Sequence, residues 1–254
     1  MTRVAVITGA AGGLGRALCA GLVAQGWRVW ALDLPSDELS AMAAPQLTPI
    51  PLDLTDDAAI ATTAATITQA TPALDLVIHA AGVTQIRAFA DTTADSHRRV
   101  MAINHFAPVA LTLHLLGAVR RARGVHLVIS SVAGFAPLHH RTAYAASKHA
   151  LQGFFASLAS EEAPHGVACL IAAPSFVATN PGRPEAQPDG LSRPGAAADG
   201  FDTMTPEAAA RVILRGVARR QGFIPVGRVA RASYLINRAS PALYRWLMRR
   251  RIRG

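Results

Sequence analysis

"VAVITGAAGGLGRAL", residues 4–18, decides how the rest of the chain is read. Its opening run is apolar and rich in β-branched residues, as in a strand buried on both faces, and a helical pattern follows the glycines. Between the two, Gly9, Gly13 and Gly15 are spaced G-x-x-x-G-x-G. Glycines at such a junction let the backbone turn sharply and approach a pyrophosphate, whose charge meets free N–H groups at a helix N-terminus. An ordinary glycine-rich turn has the same composition. The position between a strand and a helix favours the nucleotide reading, because the mechanism requires the glycines there.

Outward from this turn the same alternation continues. Strand candidates fall at 3–8, 28–33, 47–53, 74–79, 125–131, 167–174 and 222–226, and helical stretches at 13–25, 55–69, 97–122, 145–163 and 206–220 separate them. Most strand candidates are continuous apolar runs, which predicts a parallel sheet of about seven strands. The fold class is therefore α/β, a doubly wound Rossmann-type sheet with helices on both faces, in a single domain over residues 1–227. Residues 180–204, rich in Pro, Gly and Ala, interrupt the rhythm after a strand end and are read as a substrate lid.

Asp33 closes the second strand candidate, 20 residues beyond Gly13. A carboxylate there accepts hydrogen bonds from an adenosine ribose and repels a 2′-phosphate. With Gly12 and Leu34 offering no compensating cation, NAD is expected over NADP. Asp53, at the end of the third strand candidate, either reaches the adenine edge or helps to start a helix at Thr55. Leu14 in the turn and Leu54 after Asp53 join the cofactor-binding candidates.

Composition bounds the rest. The chain has 254 residues, 51% of them apolar, and two cysteines, Cys19 and Cys169, which make neither a disulfide framework nor a metal cluster. No metal is expected. Single apolar runs fall short of the roughly 20 residues that span a bilayer. The first strand begins almost at once, which leaves no room for a leader peptide, so a cytoplasmic location is the default expectation. The net charge of +9 is concentrated at one end: from Thr205 to Gly254 there are twelve arginines and one acid, Glu207.

"AYAASKHALQGFF", residues 143–155, sets Tyr144 four residues before Lys148 with small side chains between them. On a helix the two share a face. A phenol titrates at about 10 in water, and a neighbouring ammonium favours its ionised form. Such a pair can move the proton of an alcohol.

With these features the chain resembles the short-chain dehydrogenase/reductase family over about residues 3–226. The family's T-G-x-x-x-G-x-G motif is matched by Thr8, Gly9, Gly13 and Gly15, and its Y-x-x-x-K signature by Tyr144 and Lys148. Its catalytic serine is matched by Ser131, 13 residues before the tyrosine, and its catalytic asparagine by Asn104 in "MAINHFAP". Its P-G-x-V-x-T segment beside the nicotinamide is here "PSFVAT", with Pro174, Val177 and Thr179. Two departures stand out. The N-N-A-G element is "HAAG", so that His79 and Ala80 replace asparagines while Ala81 and Gly82 remain beside the cofactor, and Ser175 replaces a glycine. A histidine at 79 is expected to supply a similar bracing hydrogen bond.

The resemblance implies NAD(H)-dependent transfer of hydride between nicotinamide and a secondary alcohol or ketone. Tyr144 would be the general acid/base, Lys148 would bind the nicotinamide ribose, and Ser131 would hold the substrate oxygen. Asn104 would hold a water between Lys148 and solvent. It also implies a homodimer or homotetramer. A non-catalytic dinucleotide sensor lacks a chemical need for all four residues. An epimerase or dehydratase acting on sugar nucleotides usually has a larger C-terminal domain than residues 227–254 can form. His139, His140 and Arg141 either line the substrate mouth or lie in a solvated loop. Residues 228–254 read as a basic helical extension, with Ser240-Pro241 as a helix start, an arginine stripe at 245, 249 and 253, and Leu243, Trp246 and Leu247 largely opposite on a face that Arg250 and Arg251 interrupt. That pattern suits peripheral contact with an anionic membrane or an arm over a neighbouring subunit, and no nucleic-acid motif accompanies it.

Overall fold

The computed structural model describes residues 2–179, 190–195 and 203–252. Seven parallel strands form one sheet: β1 (Val4–Thr8), β2 (Arg28–Asp33), β3 (Leu47–Pro51), β4 (Leu76–His79), β6 (Val125–Ile129), β7 (Ala168–Pro174) and β9 (Phe223–Val226). Their order is β3-β2-β1-β4-β6-β7-β9. The order reverses beside β1, so the ends of β1 and β4 border the crevice where open α/β sheets take their ligands. A two-residue pair, β5 (Thr84–Gln85) and β8 (Leu191–Ser192), runs antiparallel outside this sheet.

Both faces are covered. Ala5 and Ile7 of β1 point to the side packed by α1 (Gly13–Val23) and α7 (Pro206–Ala218), where Leu18, Leu22, Ala209 and Ile213 complete the core. Val4 and Val6 point the other way, toward α3 (Asp57–Ala70) and α5 (Ala107–Ala122), meeting Ile60, Ile67, Leu111 and Leu115. Further along that face Val128 and Ile171 meet Leu151 and Phe155 of α6 (Thr142–Glu162). Each such aliphatic side chain contributes about 1.5–3 kcal/mol on burial, and this two-sided demand is why the strands read as unbroken apolar runs. The short α2 (Asp37–Ser40) is capped by Ser36, whose hydroxyl accepts from Leu39 N–H at 3.1 Å.

The helix before β6 is continuous from Ala94 to Ala122 but is not regular. α4 (Ala94–Met101) passes into α5 through a π-helical turn, Ala102–Phe106. It begins three residues before the sequence reading, at a Thr93–Ser96 capping box. By length and composition this helix is long and apolar enough to cross a membrane, which run-by-run reading missed because His and Arg punctuate it. In this fold its apolar face lies against the sheet.

Several boundaries differ from the sequence reading. Asp53 lies beyond the end of β3, in a turn where its Oδ1 accepts from Thr55 N–H (2.8 Å) and Thr55 Oγ1 (2.7 Å). The helix starts at Asp57, with Asp56 as its cap, rather than at Thr55. After β9 the chain forms two helices, α8 (Arg228–Ala239) and α9 (Pro241–Ile252), and Ser240 Oγ accepts from Leu243 N–H at 3.2 Å. Of the expected lid, residues 180–189 and 196–202 lie outside the described residues; Leu191 and Ser192 form β8, and Met204 bridges to Val177.

Candidate active site

The nucleotide end is made from backbone. Gly9 has φ +68°, and a Cβ there would stand 2.7 Å from Ala81 N. A Cβ on Gly15 would fall on the Gly9 carbonyl oxygen, and one on Gly13 would fall on that of Thr179. Turn, helix start and the segment after β7 therefore meet at van der Waals limits. Thr8 Oγ1 accepts from the N–H groups of Ala80 and Ala81, both at 3.2 Å, tying the end of β1 to the end of β4. Gly12 precedes α1 without a side-chain cap, so the helix offers its first N–H groups toward the turn. Asp33 braces the same turn: Oδ2 accepts from Ala11 N–H at 2.9 Å and Oδ1 from Leu34 N–H at 2.8 Å. Leu14 and Leu54 pack against the two core faces.

The catalytic candidates come together from four elements. Ser131, two residues beyond β6, opens a 3-10 turn and accepts from Ala133 N–H at 3.2 Å. Its hydroxyl is close enough to the Tyr144 phenol to favour the ionised form. Tyr144, 7% exposed, lies in the first turn of α6, and Lys148, 4% exposed, follows one turn later. Lys148 Nζ donates to the carbonyl of Ile129 at 2.8 Å and stands 5.8 Å from the centre of the Tyr144 ring. A methyl on Gly82 would sit 3.1 Å from Asn104 Oδ1 and 3.5 Å from Lys148 Nζ, so the strand end of the cofactor crevice borders the same groups.

Asn104 is fully buried in the π turn. Its Oδ1 accepts from Val83 N–H (2.8 Å), and its Nδ2 donates to Val83 O (2.8 Å) and Ser147 Oγ (2.9 Å). Ser147 in turn donates to the Tyr144 carbonyl at 2.8 Å. Both amide N–H groups are thus occupied, and the side chain braces the β4 end against α6. Ser147 was missed in the sequence, although its place three residues after Tyr144 puts it on the same inner face.

Burial pushes the Tyr144 phenol above its ordinary value; the Ser131 hydroxyl and the Arg141 charge pull it back. Burial pushes Lys148 down to about 8. Arg141, half-buried, adds a charge that favours the ionised phenol, and its Nη1 donates to Thr84 Oγ1 at 3.1 Å. His139 and His140 beside it are exposed, with ring centres 3.6 Å apart.

His79 braces β4 to both α5 and β6: its Nε2 lies 3.2 Å from Thr112 Oγ1 and 3.5 Å from His126 Nδ1. Both rings are buried beside Phe155, and neither His79 Nδ1 nor His126 Nε2 has a hydrogen-bond partner. Burial holds His79 well below the ordinary histidine value and His126 at about 4. Ser175 Oγ rests against Gly227 and lies 3.4 Å from Val226 O, closing the β7–β9 end. Among the described residues no group of three or more His, Cys, Asp or Glu side chains could hold a metal.

A seven-stranded parallel sheet, a glycine turn at its reversal point and a buried Ser–Tyr–Lys group over the neighbouring strand ends define a dinucleotide-dependent oxidoreductase architecture. The family model described as short chain dehydrogenase matches residues 3–189, and the chain belongs to the short-chain dehydrogenase/reductase family. It is 42% identical over 190 residues to the dehydrogenase/reductase SDR family member 7B of Bos taurus, a match covering 70% of this chain and 58% of that one. A short-chain dehydrogenase from Burkholderia cenocepacia, solved in complex with NADP, superposes with a TM-score of 0.84 at 20% identity over 97% of both chains. A family protein from Burkholderia phymatum, solved in complex with NAD, gives 0.76 at 23% identity over 88% of both.

Proposed function

We propose that the protein is an NAD(H)-dependent oxidoreductase that interconverts a hydrophobic secondary alcohol and its ketone, with Tyr144 as the general acid/base. The observation that carries this reading is the buried Tyr144 phenol, with Ser131 close enough to favour its ionised form and Lys148 one helical turn away.

The residues present fit a dinucleotide: the Gly9–Gly15 turn packs too closely for side chains, so the uncapped start of α1 offers backbone N–H groups to a pyrophosphate. The Gly9–Gly15 turn, with Leu14, would take the pyrophosphate and Asp33 the adenosine ribose. Asp53 and Leu54 would border the adenine. Ala81, Gly82, Pro174, Val177 and Thr179 would line the nicotinamide side, and Lys148 would reach its ribose. Nicotinamide supplies or accepts the hydride. Ser131 holds the substrate oxygen toward the phenol and stabilises the charge that builds on it. Tyr144 donates its proton to that oxygen during reduction and takes it back during oxidation. A phenol kept neutral by burial stands in the donating form, which suits ketone reduction. Asn104 and Ser147 position α6, and Arg141 tunes the phenol through its charge. The exposed Phe106 (59%) and Leu113 (68%) on the helix beside α6 support a homodimer formed through that face.

Screening ketones with NADH and NADPH in parallel, read by nicotinamide absorbance, tests the assignment. NADH-dependent turnover is expected. Asp33→Ala should weaken NADH binding by about 1.5–3 kcal/mol, the value of hydrogen bonds to a charged group. Turnover with NADPH alone would overturn the cofactor reading, and none with either would overturn the activity.

A further inference from the structure

The last two helices carry a surface that the chemistry does not use. α9 turns Tyr244, 5% exposed, inward against Val132, Ala136 and Ala230, with Met248 beside it. Asn237 of α8 donates to the Phe135 carbonyl at 2.6 Å, and the Phe135 ring meets Tyr234 edge to face. The pair is therefore seated on the loop that follows Ser131, at the catalytic end of the sheet. Residues 243, 246, 247 and 250 share the opposite face of α9 by their i, i+3, i+4, i+7 spacing. There Leu243, Trp246 and Leu247 are 47%, 47% and 40% exposed, and the Arg250 guanidinium lies 4.0 Å from the Trp246 ring centre. Arg245 is exposed on the same helix, as are Arg228, Arg231 and Arg238 on α8.

A solvated helix gains nothing from three large apolar side chains in contact with water, and a buried one would not carry Arg250 on the same face. An indole flanked by leucines and guanidinium groups suits a boundary at which an apolar layer meets anions. Between Thr205 and Gly254 the only carboxylate side chain is that of Glu207, so the positive charge of this end calls for an external anionic surface. We propose that this face of α9 docks on an anionic phospholipid bilayer: Leu243, Trp246 and Leu247 enter the headgroup–acyl boundary while the arginines pair with lipid phosphates. Because Tyr244 anchors the helix to the loop after Ser131, docking sets the catalytic end of the sheet next to the bilayer.

The full-length protein is sedimented with phosphatidylcholine vesicles, with and without phosphatidylserine. It should pellet with the anionic vesicles only, and less at high salt. Trp246→Glu should abolish pelleting. Arg245→Gln with Arg250→Gln should weaken it roughly thirtyfold, at about fivefold per arginine near the surface. Both variants alter exposed side chains, and an unchanged unfolding midpoint would show that they fold; Leu243→Ser serves in place of either should it not. The readout needs no turnover, so it stands apart from the catalytic assignment. Equal sedimentation with both vesicle types or with neither, or pelleting that survives Trp246→Glu, would overturn the proposal. So would a Trp246→Glu protein that loses subunits on size exclusion while the wild type ignores vesicles, since a second copy would then own the face.

Discussion

The two sides of the crevice are built from different material. At the β1–α1 turn the site is backbone held at contact distance, with Thr8 and Asp33 as ties. At the β4–β6–α6 side it is a set of buried polar side chains shielded from water: Tyr144, Lys148, Asn104 and Ser147. The first side recognises a shape common to all dinucleotides and fails by collision. The second manages protons and fails by losing one group. Substitutions on the two sides should therefore differ in kind as well as in size.

The largest effect belongs to the proton-handling side. Tyr144→Phe keeps the ring and removes the oxygen, so kcat should fall about 10²–10⁴-fold, the usual contribution of a positioned acid or base. NADH affinity, followed by fluorescence titration, should barely change. Parallel losses in both would erase the distinction between the two sides. Next comes Gly15→Ala, which sets a methyl on the Gly9 carbonyl. Forcing one carbon into such a packed site costs about 1–3 kcal/mol or more, and it should appear in both NADH affinity and the unfolding midpoint. An alanine variant that binds NADH normally would show that the turn has slack the geometry denies.

A smaller effect separates the sides by pH. His126 titrates at about 4 in the folded chain against an ordinary 6.5. The unfolded chain thus binds the extra proton first, and stability is full above about 6.5 and falls toward pH 4. At pH 5 this one ring costs roughly 2 kcal/mol by linkage, and His79, depressed in the same direction, adds to it. Thermal unfolding of His126→Phe at pH 7 and pH 5 should show a smaller acid loss than the wild type. An equal loss would place the acid sensitivity elsewhere.

The sequence made the first side more legible than the second. A glycine turn leaves its trace in residue type and spacing, because no other residue survives at Gly9 with φ +68° beside Ala81. The seven strands were legible for a related reason: burial on both faces writes continuous apolar runs. Tyr144 and Lys148 were legible through their spacing and Ser131 through the family resemblance, and the structure brings the three together. What stayed hidden depends on direction rather than identity. Nothing in the spacing of Tyr144 and Lys148 says that the ammonium turns to the Ile129 carbonyl, or that the charge of Arg141 reaches the phenol. Asn104 was found, but its amide hydrogens proved to be occupied, because the π turn aims it at Val83 and Ser147. His79 and His126 lie 47 residues apart and become neighbours only when β4 and β6 pair.

The π turn at Ala102–Phe106 bears on what insertions and deletions this chain can tolerate. A π turn holds one residue more than the regular helix around it. Removing that residue would let α4 and α5 fuse into an unbroken α-helix, at the cost of rotating everything upstream by about 100°. Val100, now fully buried, would swing toward solvent, and Asn104 would leave Val83 and Ser147 together. The change would shorten and regularise the helix, yet it would unseat the side chain that fixes α6 under Tyr144. Chain length between Thr93 and Ala107 should therefore be far less negotiable than the residues that fill it.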